Sequence, residues 1–165
     1  MKLEVVLLKQ DDPIKCTALK LVKFGLAKRV RTISKQSLVL NPFSKILLSA
    51  GDRFSSRSIC AVDCSWENIR NIIESQTIFT YLNNRRLPCL LAGNPTNYSK
   101  VGKLTTAEAL AGCVYILGNR RLSISLMNKF KWGHTFLELN AEPLEEYSCA
   151  MDQEKIMQIE RDYFQ

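Results

Sequence analysis

The sequence is poor in the residues that usually carry chemistry. It has a single histidine, His134, and only seven glycines in 165 residues. It holds no Gly-x-Gly-x-x-Gly stretch and no Gly-x-x-x-x-Gly-Lys-Ser/Thr loop, which removes the common dinucleotide and nucleoside-triphosphate signatures. No serine sits in Gly-x-Ser-x-Gly, so a hydrolase elbow is excluded. Of the six cysteines, only Cys60 and Cys64 form a close pair. A zinc site asks for a second pair or for added histidines, so no metal is expected. Most of the cysteines lie in apolar stretches, where a free thiol packs as a small hydrophobe. Long apolar runs are also missing. The stretch Cys89 to Ala92 is typical, far below the roughly 18 residues of a membrane span. Residues 1–8 carry Glu4 and no small-residue cleavage pattern, so neither a signal peptide nor a membrane segment is expected, and the cytoplasm is the expected compartment.

What the sequence does have is cationic charge on one side. Residues 1–86 hold 15 Lys/Arg against 7 Asp/Glu, whereas residues 87–165 hold 8 against 9. A basic half beside a near-neutral half suits a surface facing a polyanion, and it equally suits a solvated, lysine-rich exterior.

Patterning divides the chain at the same place. Strands are expected at Leu3–Leu8, Leu38–Leu40 and Ile59–Val62. Between them, helices are expected at Thr17–Phe24, stopped by Gly25, at Ser49–Phe54, and at Trp66–Glu74, capped by Ser65. Asp11-Asp12-Pro13 and Asn41-Pro42 act as breakers. This alternation favours a parallel sheet with crossovers, whose ligands lie beyond the carboxyl ends of the strands. The second half offers one last strand, Leu90–Ala92, and an irregular loop, Gly93–Lys103. Helices follow from Thr105 or Thr106 to Leu117 (ended by Gly118) and near 120–129, 133–148 and 152–164. The expectation is a basic α/β unit over 1–86 joined to a mostly helical unit over 87–165.

Three clusters stand out. Val62-Asp63-Cys64-Ser65-Trp66 puts a carboxylate at a strand end, where it can accept a proton from a substrate nitrogen or simply cap the next helix. The Gly93–Lys103 loop either holds a ligand or connects two units. Phe130 to Asn140 mixes basic and aromatic residues with His134, as base stacking or the packing of one helix would require.

Taken in order, further segments join these clusters. They are Lys15-Cys16-Thr17-Ala18-Leu19-Lys20-Leu21, Leu40-Asn41-Pro42, Ser49-Ala50-Gly51-Asp52-Arg53, Arg86-Leu87-Pro88, Ala92-Gly93-Asn94-Pro95-Thr96-Asn97-Tyr98 and Lys103-Leu104-Thr105-Thr106-Ala107-Glu108-Ala109. Together with Asp63-Cys64-Ser65-Trp66 and Phe130–Asn140, the chain resembles the small-subunit rRNA aminocarboxypropyltransferases of archaea and eukaryotes, nearly end to end. It departs from their usual pattern at Ala18, where Gly is common, at Gly93 and Ser99, where Ala and Gly are frequent, and at Gly102, where an aromatic is common.

The resemblance implies a SPOUT-like α/β fold with a mostly parallel sheet, a trefoil knot in the cofactor-binding part and a helical C-terminal part. It implies S-adenosyl-L-methionine (SAM) as cofactor and transfer of its 3-amino-3-carboxypropyl group to N3 of an N1-methylpseudouridine in small-subunit rRNA. Mapped onto this sequence, Thr17 would meet the SAM carboxylate. The backbone of Val62 would take the ribose, and those of Leu87 and Gly102 the adenine edge. Leu40, Pro42, Trp66, Leu104 and Ala109 would pack around the cofactor, with Thr106 at its tail. Trp66 and Ile69 would bury the methyl group, and Asp63 is the candidate base. RNA would be met by Lys15, Lys20, Lys23, Lys28, Arg29, Arg31, Arg53, Arg57, Arg70, Arg85 and Arg86. The partner is then small-subunit rRNA or the pre-ribosomal subunit, with a monomeric enzyme. The alternatives are a SPOUT-type RNA methyltransferase and a non-catalytic rRNA-binding assembly factor.

Overall fold

A computed structural model describes residues 1–8, 15–63 and 83–165. The Asp11-Asp12-Pro13 break, Cys64, and the expected helix over 66–74 with Trp66, Ile69 and Arg70 lie outside the described residues. Among the described residues, five parallel strands form one sheet in the order β2-β1-β4-β3-β5. They are β1 (Lys2–Leu7), β2 (Lys28–Arg29), β3 (Ser37–Leu40), β4 (Ser58–Asp63) and β5 (Asn83–Arg85). β1 pairs with β4 from Lys2↔Ser58 to Leu7↔Asp63, and β3 pairs with β4 from Ser37↔Ser58 to Leu40↔Ala61. This register brings Leu40 and Asp63 to the same end of the sheet.

Local chemistry sets the ends of the helices. In α1 (Thr17–Lys23), the Cys16 sulfur accepts the Leu19 amide, and Gly25 follows the helix at φ 69°. That left-handed turn favours glycine. A 3-10 helix spans Ala50–Phe54. In α2 (Thr106–Ile116), Thr105 and Glu108 form a reciprocal capping box, an arrangement worth about 1 kcal/mol at the N-cap. Beyond it run α3 (Arg120–Met127), α4 (Gly133–Leu139), α5 (Ala141–Cys149) and α6 (Gln153–Phe164).

One hydrophobic core joins the sheet to these helices. Leu3, Val5, Leu38 and Ile59 from the strands share it with Leu110 and Val114 of α2, Phe136 of α4, Leu144 of α5 and Ile159 of α6. Helix α2 runs through the middle, which is why it is apolar on nearly every side. A smaller cluster of Ile33, Val39 and Cys60 lies apart from it.

Three expectations change. Leu90–Ala92 is not a strand: Leu91 makes only an isolated antiparallel bridge with Val101. The helix expected over 133–148 is two helices meeting at Asn140, whose side chain is drawn away to another segment. β2 and β5 were not anticipated, because Lys28-Arg29 and Asn83-Asn84-Arg85 are edge strands with no apolar side chain to mark them.

Candidate active site

The C-terminal ends of β3 and β4, the segment after β5, and the loop leading into α2 enclose a cavity of about 360 Å³. That volume lies in the range of small-molecule sites, roughly 300–1,000 Å³. Leu40, Pro42, Val62, Leu87, Gly102, Leu104, Thr106 and Ala109, all singled out in the sequence, line it together. Asn41, Phe43, Ala61, Arg86, Pro88, Cys89, Val101, Lys103 and Thr105 complete the wall. The sequence did not mark these as cofactor contacts, although Asn41, Arg86, Pro88, Lys103 and Thr105 belong to the segments that carry the resemblance.

Asp63 lies just beyond, buried at the end of β4. Its Oδ1 accepts the Thr106 hydroxyl at 2.7 Å and its Oδ2 the Cys16 thiol at 3.1 Å. Thr17 is buried, and its hydroxyl accepts the Ala107 amide at 3.3 Å. Thr17 thus stands at the start of α2 and not on the cavity wall. The starts of α1 and α2 and the end of β4 are tied into one polar knot of side chains.

Glu108 organises the loop. It is fully buried and ionisable, a combination that demands satisfied partners. Its Oε1 accepts the amides of Gly93 and Asn94, at 2.7 and 2.9 Å. Its Oε2 accepts the Asn94 side-chain amide, the Thr105 amide and the Thr105 hydroxyl. The Thr-x-x-Glu spacing was the signal that could have identified it. Asn140 secures the other end, accepting the Leu91 amide and donating to the Leu91 and Phe136 carbonyls. Gly93 lets the loop approach α4 closely in this chain, since an added Cβ would meet the Phe136 backbone nitrogen at 2.5 Å unless the backbone shifted. Gly102, at φ 71°, donates its amide to the Leu90 carbonyl and lines the cavity.

The segment after β5 is held by α6. Arg86 makes a two-pronged ion pair with Glu160, which also accepts the Cys89 amide at 2.7 Å. Burial opposes the charged carboxylate, but the guanidinium and the amide outweigh it and hold Glu160 below its ordinary range. Burial, with Glu160 nearby, pushes the Cys89 thiol up to about 11. A neutral thiol is a poor nucleophile, so Cys89 serves as wall.

The basic residues differ in exposure and pairing. Lys15, Lys23, Lys28, Arg29 and Arg31 are exposed, and Lys20 is half-buried. Arg57 precedes the start of β4, six residues from Asp63, about 20 Å from the cavity end, and Arg53 is exposed on the 3-10 helix. Arg53 lies over Gly118. Arg85 is ion-paired with Asp52 and Arg86 with Glu160. In the aromatic block, Phe136 is fully buried and Phe130 nearly so, Trp132 stacks on Phe130 at 5.2 Å, and His134 is exposed. Among the described residues no cluster suits a metal ion, and no helix is long and apolar enough to cross a membrane.

A family model described as ribosome biogenesis protein, C-terminal, matches residues 38–164. Another, described as a possible Fer4-like domain in RNase L inhibitor, matches residues 1–35. That segment holds one cysteine, Cys16, and so lacks the set of about four thiolates that an iron–sulfur cluster needs. The chain is 41% identical over 158 residues to the 16S rRNA aminocarboxypropyltransferase of Methanococcoides burtonii, covering 94% of this chain and 90% of the relative. It is 44% identical over 160 residues to that of Thermoplasma volcanium, covering 95% and 94%. The solved structure of the SAM-dependent rRNA acp-transferase Tsr3 from Vulcanisaeta distributa matches with a TM-score of 0.83 at 34% identity, covering 98% of this chain and 96% of that one.

Proposed function

Because the chain belongs to the 16S rRNA aminocarboxypropyltransferase family, we propose that it is a SAM-dependent enzyme that transfers the 3-amino-3-carboxypropyl group to N3 of an N1-methylpseudouridine in small-subunit rRNA, releasing methylthioadenosine. The observation that supports this most is the cavity, where the apolar and backbone groups assigned to SAM converge at the carboxyl ends of β3 and β4. Leu40, Pro42, Leu87, Leu104 and Ala109 suit an adenine ring and a thioether, and the loop carbonyls suit its polar edge. Bound there, SAM supplies an electrophilic carbon and a thioether leaving group.

The residues then have distinct tasks. Asp63 is the candidate acceptor for the N3 proton, held in place by Thr106 and Cys16. Glu108 and Asn140 fix the loop that carries Gly102 and Leu104. Trp66 and Ile69 are proposed to bury the methyl group, so that orientation alone selects the carbon attacked. Exposed basic residues of the first half, among them Lys15 and Lys23, are proposed to meet RNA, with the division near residue 86 separating that half from the helical one. The reading also includes a trefoil knot, a monomeric enzyme and action in the cytoplasm. An experimental backbone traced through residues 64–82 that is unknotted would remove the knot.

The test is mass spectrometry after incubating protein, SAM and small-subunit rRNA lacking the modification. Methylthioadenosine with a gain of about 101 Da on one nucleotide is expected, since that is the group left when the propyl carbon is attacked. S-adenosylhomocysteine would make the protein a methyltransferase. Bound RNA with neither product would point to an assembly factor.

A further inference from the structure

Adenine and hypoxanthine have nearly the same shape and differ in polarity along one edge. Adenine offers an amino donor beside a ring-nitrogen acceptor, whereas hypoxanthine offers a carbonyl beside an N–H. A site separates them only if its own donors and acceptors are held still. The backbone from Arg86 to Cys89, which runs along the cavity wall, is held in that way. The Arg86 amide donates to the Ile46 carbonyl and the Arg86 carbonyl accepts the Leu48 amide, both at 2.8 Å. The Leu87 carbonyl accepts Arg86 Nη1 at 3.3 Å. Pro88 has no amide to place. The Cys89 amide donates to Glu160 at 2.7 Å, and the Cys89 carbonyl accepts the Tyr147 hydroxyl at 3.2 Å. Of the amides in this segment, that of Leu87 alone has no partner among the described residues. A lone backbone donor on a cavity wall is fit to read one acceptor of a ligand.

The clamp on this segment comes from α6. Arg86 Nη1 and Nη2 meet Glu160 Oε1 and Oε2 at 3.0 and 3.1 Å. Such parallel pairing fixes the plane of the guanidinium. The same Nη1 donates to the Leu87 carbonyl, and the same Oε1 receives the Cys89 amide. Glu160 therefore anchors the chain on both sides of Leu87-Pro88. Between these anchors Pro88 restricts Leu87 to extended backbone, so the Leu87 peptide has little freedom left. Glu160 itself is buried and is not among the residues that line the cavity. Its effect on a ligand has to pass through the backbone it holds.

We propose that Glu160 is a positioning residue for cofactor recognition: through Arg86 and Cys89 it fixes the Leu87 amide as the donor that selects adenine over hypoxanthine. The C-terminal helix then sets cofactor specificity without touching the cofactor. The identity of the nucleoside rests on the SAM-dependent reading, and the clamp does not.

The experiment compares the full chain with Glu160→Gln, Arg86→Lys and Ile156→Ala. Binding of methylthioadenosine and of its hypoxanthine counterpart is measured by calorimetry, at a temperature where circular dichroism shows each protein folded. KM for SAM and kcat on the rRNA come from steady-state kinetics. Wild type should prefer methylthioadenosine by roughly 10- to 100-fold, the weight of setting an N–H against a fixed amide donor. Glu160→Gln puts an NH2 group against the guanidinium and should reduce that preference by about 5-fold or more. KM for SAM should rise while kcat stays near wild type. Arg86→Lys keeps the charge and loses the fork. It should fall between the two, and it carries the comparison if Glu160→Gln does not fold. Ile156→Ala weakens the packing of α6 and leaves the ion pair in place, so its preference should match wild type. An unchanged preference in Glu160→Gln would overturn the proposal. So would an equal fall in Ile156→Ala, which would make the effect one of stability, and so would a wild type that binds both nucleosides alike. Wild type that shows the preference but yields no methylthioadenosine from SAM defeats the functional reading alone, and wild type that binds neither nucleoside defeats both.

Discussion

Asp63 already holds two hydrogen-bond donors, the Thr106 hydroxyl on one oxygen and the Cys16 thiol on the other. Each carboxylate oxygen has a second lone pair, so the group can be held still and yet take a proton. Asp63→Asn removes the proton acceptor at nearly constant shape. If Asp63 is the base, kcat falls about 100-fold or more, the usual weight of general-base help, with SAM affinity little changed. Thr106→Val deletes one support and leaves the carboxylate, so it should cost about 3- to 10-fold, the weight of one hydrogen bond. Single-turnover rates separate the two, and an Asp63→Asn enzyme with wild-type turnover would reassign Asp63 to positioning. At this scale the sequence left choices open that packing closes. Phe136 and Asn140 looked equally fit for RNA or core, and both are buried, with Asn140 bonded to Leu91. Glu108 passed as one more helix acid, because three of its five donors, on Gly93 and Asn94, are brought to it by a loop 14 or 15 residues away.

Helix α6 reaches back to the segment after β5 through a single buried carboxylate. Glu160 receives both prongs of Arg86 and the Cys89 amide, and it lies below its ordinary value of 4.5 because those partners outweigh burial. A carboxylate lowered by folding contributes stability above its unfolded pKa, and that contribution is lost as pH falls through the folded value. Wild type should therefore lose stability below about pH 4.5. Glu160→Gln should cost about 2–3 kcal/mol at neutral pH, as loss of a charged hydrogen-bond partner does. It should also flatten the acid limb. Thermal unfolding between pH 3 and 7 reads both, and parallel curves for the two proteins would show that the pair adds nothing. Helix starts were legible from local signals, as Thr105-x-x-Glu108 illustrates. β5 was not, because Asn83-Asn84-Arg85 has no apolar period and is a strand only by virtue of its pairing with β3.

For the molecule as a whole, charge and core follow different divisions. The excess of cations belongs to residues 1–86, yet the core runs without interruption from Leu3 to Ile159. Composition showed the first. The strand order β2-β1-β4-β3-β5 was beyond it, since long-range pairing leaves no mark in local periodicity. The structure also sorts the cations. Arg85 and Arg86 serve internal ion pairs, whereas Lys15, Lys23, Lys28, Arg29 and Arg31 are exposed. Only cations that displace counterions from RNA contribute to salt dependence, each by about 0.7 in the slope of log K against log salt for unpaired strands. About five such contacts give a slope near −3.5, or roughly a 100-fold loss of affinity between 50 and 200 mM salt. The double variant Lys15→Gln/Lys23→Gln should make the slope shallower by about 1.4, while Arg85→Gln should lower stability and leave the slope as it was. A titration series at four salt concentrations distinguishes these. A flat wild-type response would mean that the basic half is a solvated exterior, and a slope altered by Arg85→Gln alone would mean that its pair with Asp52 opens on RNA.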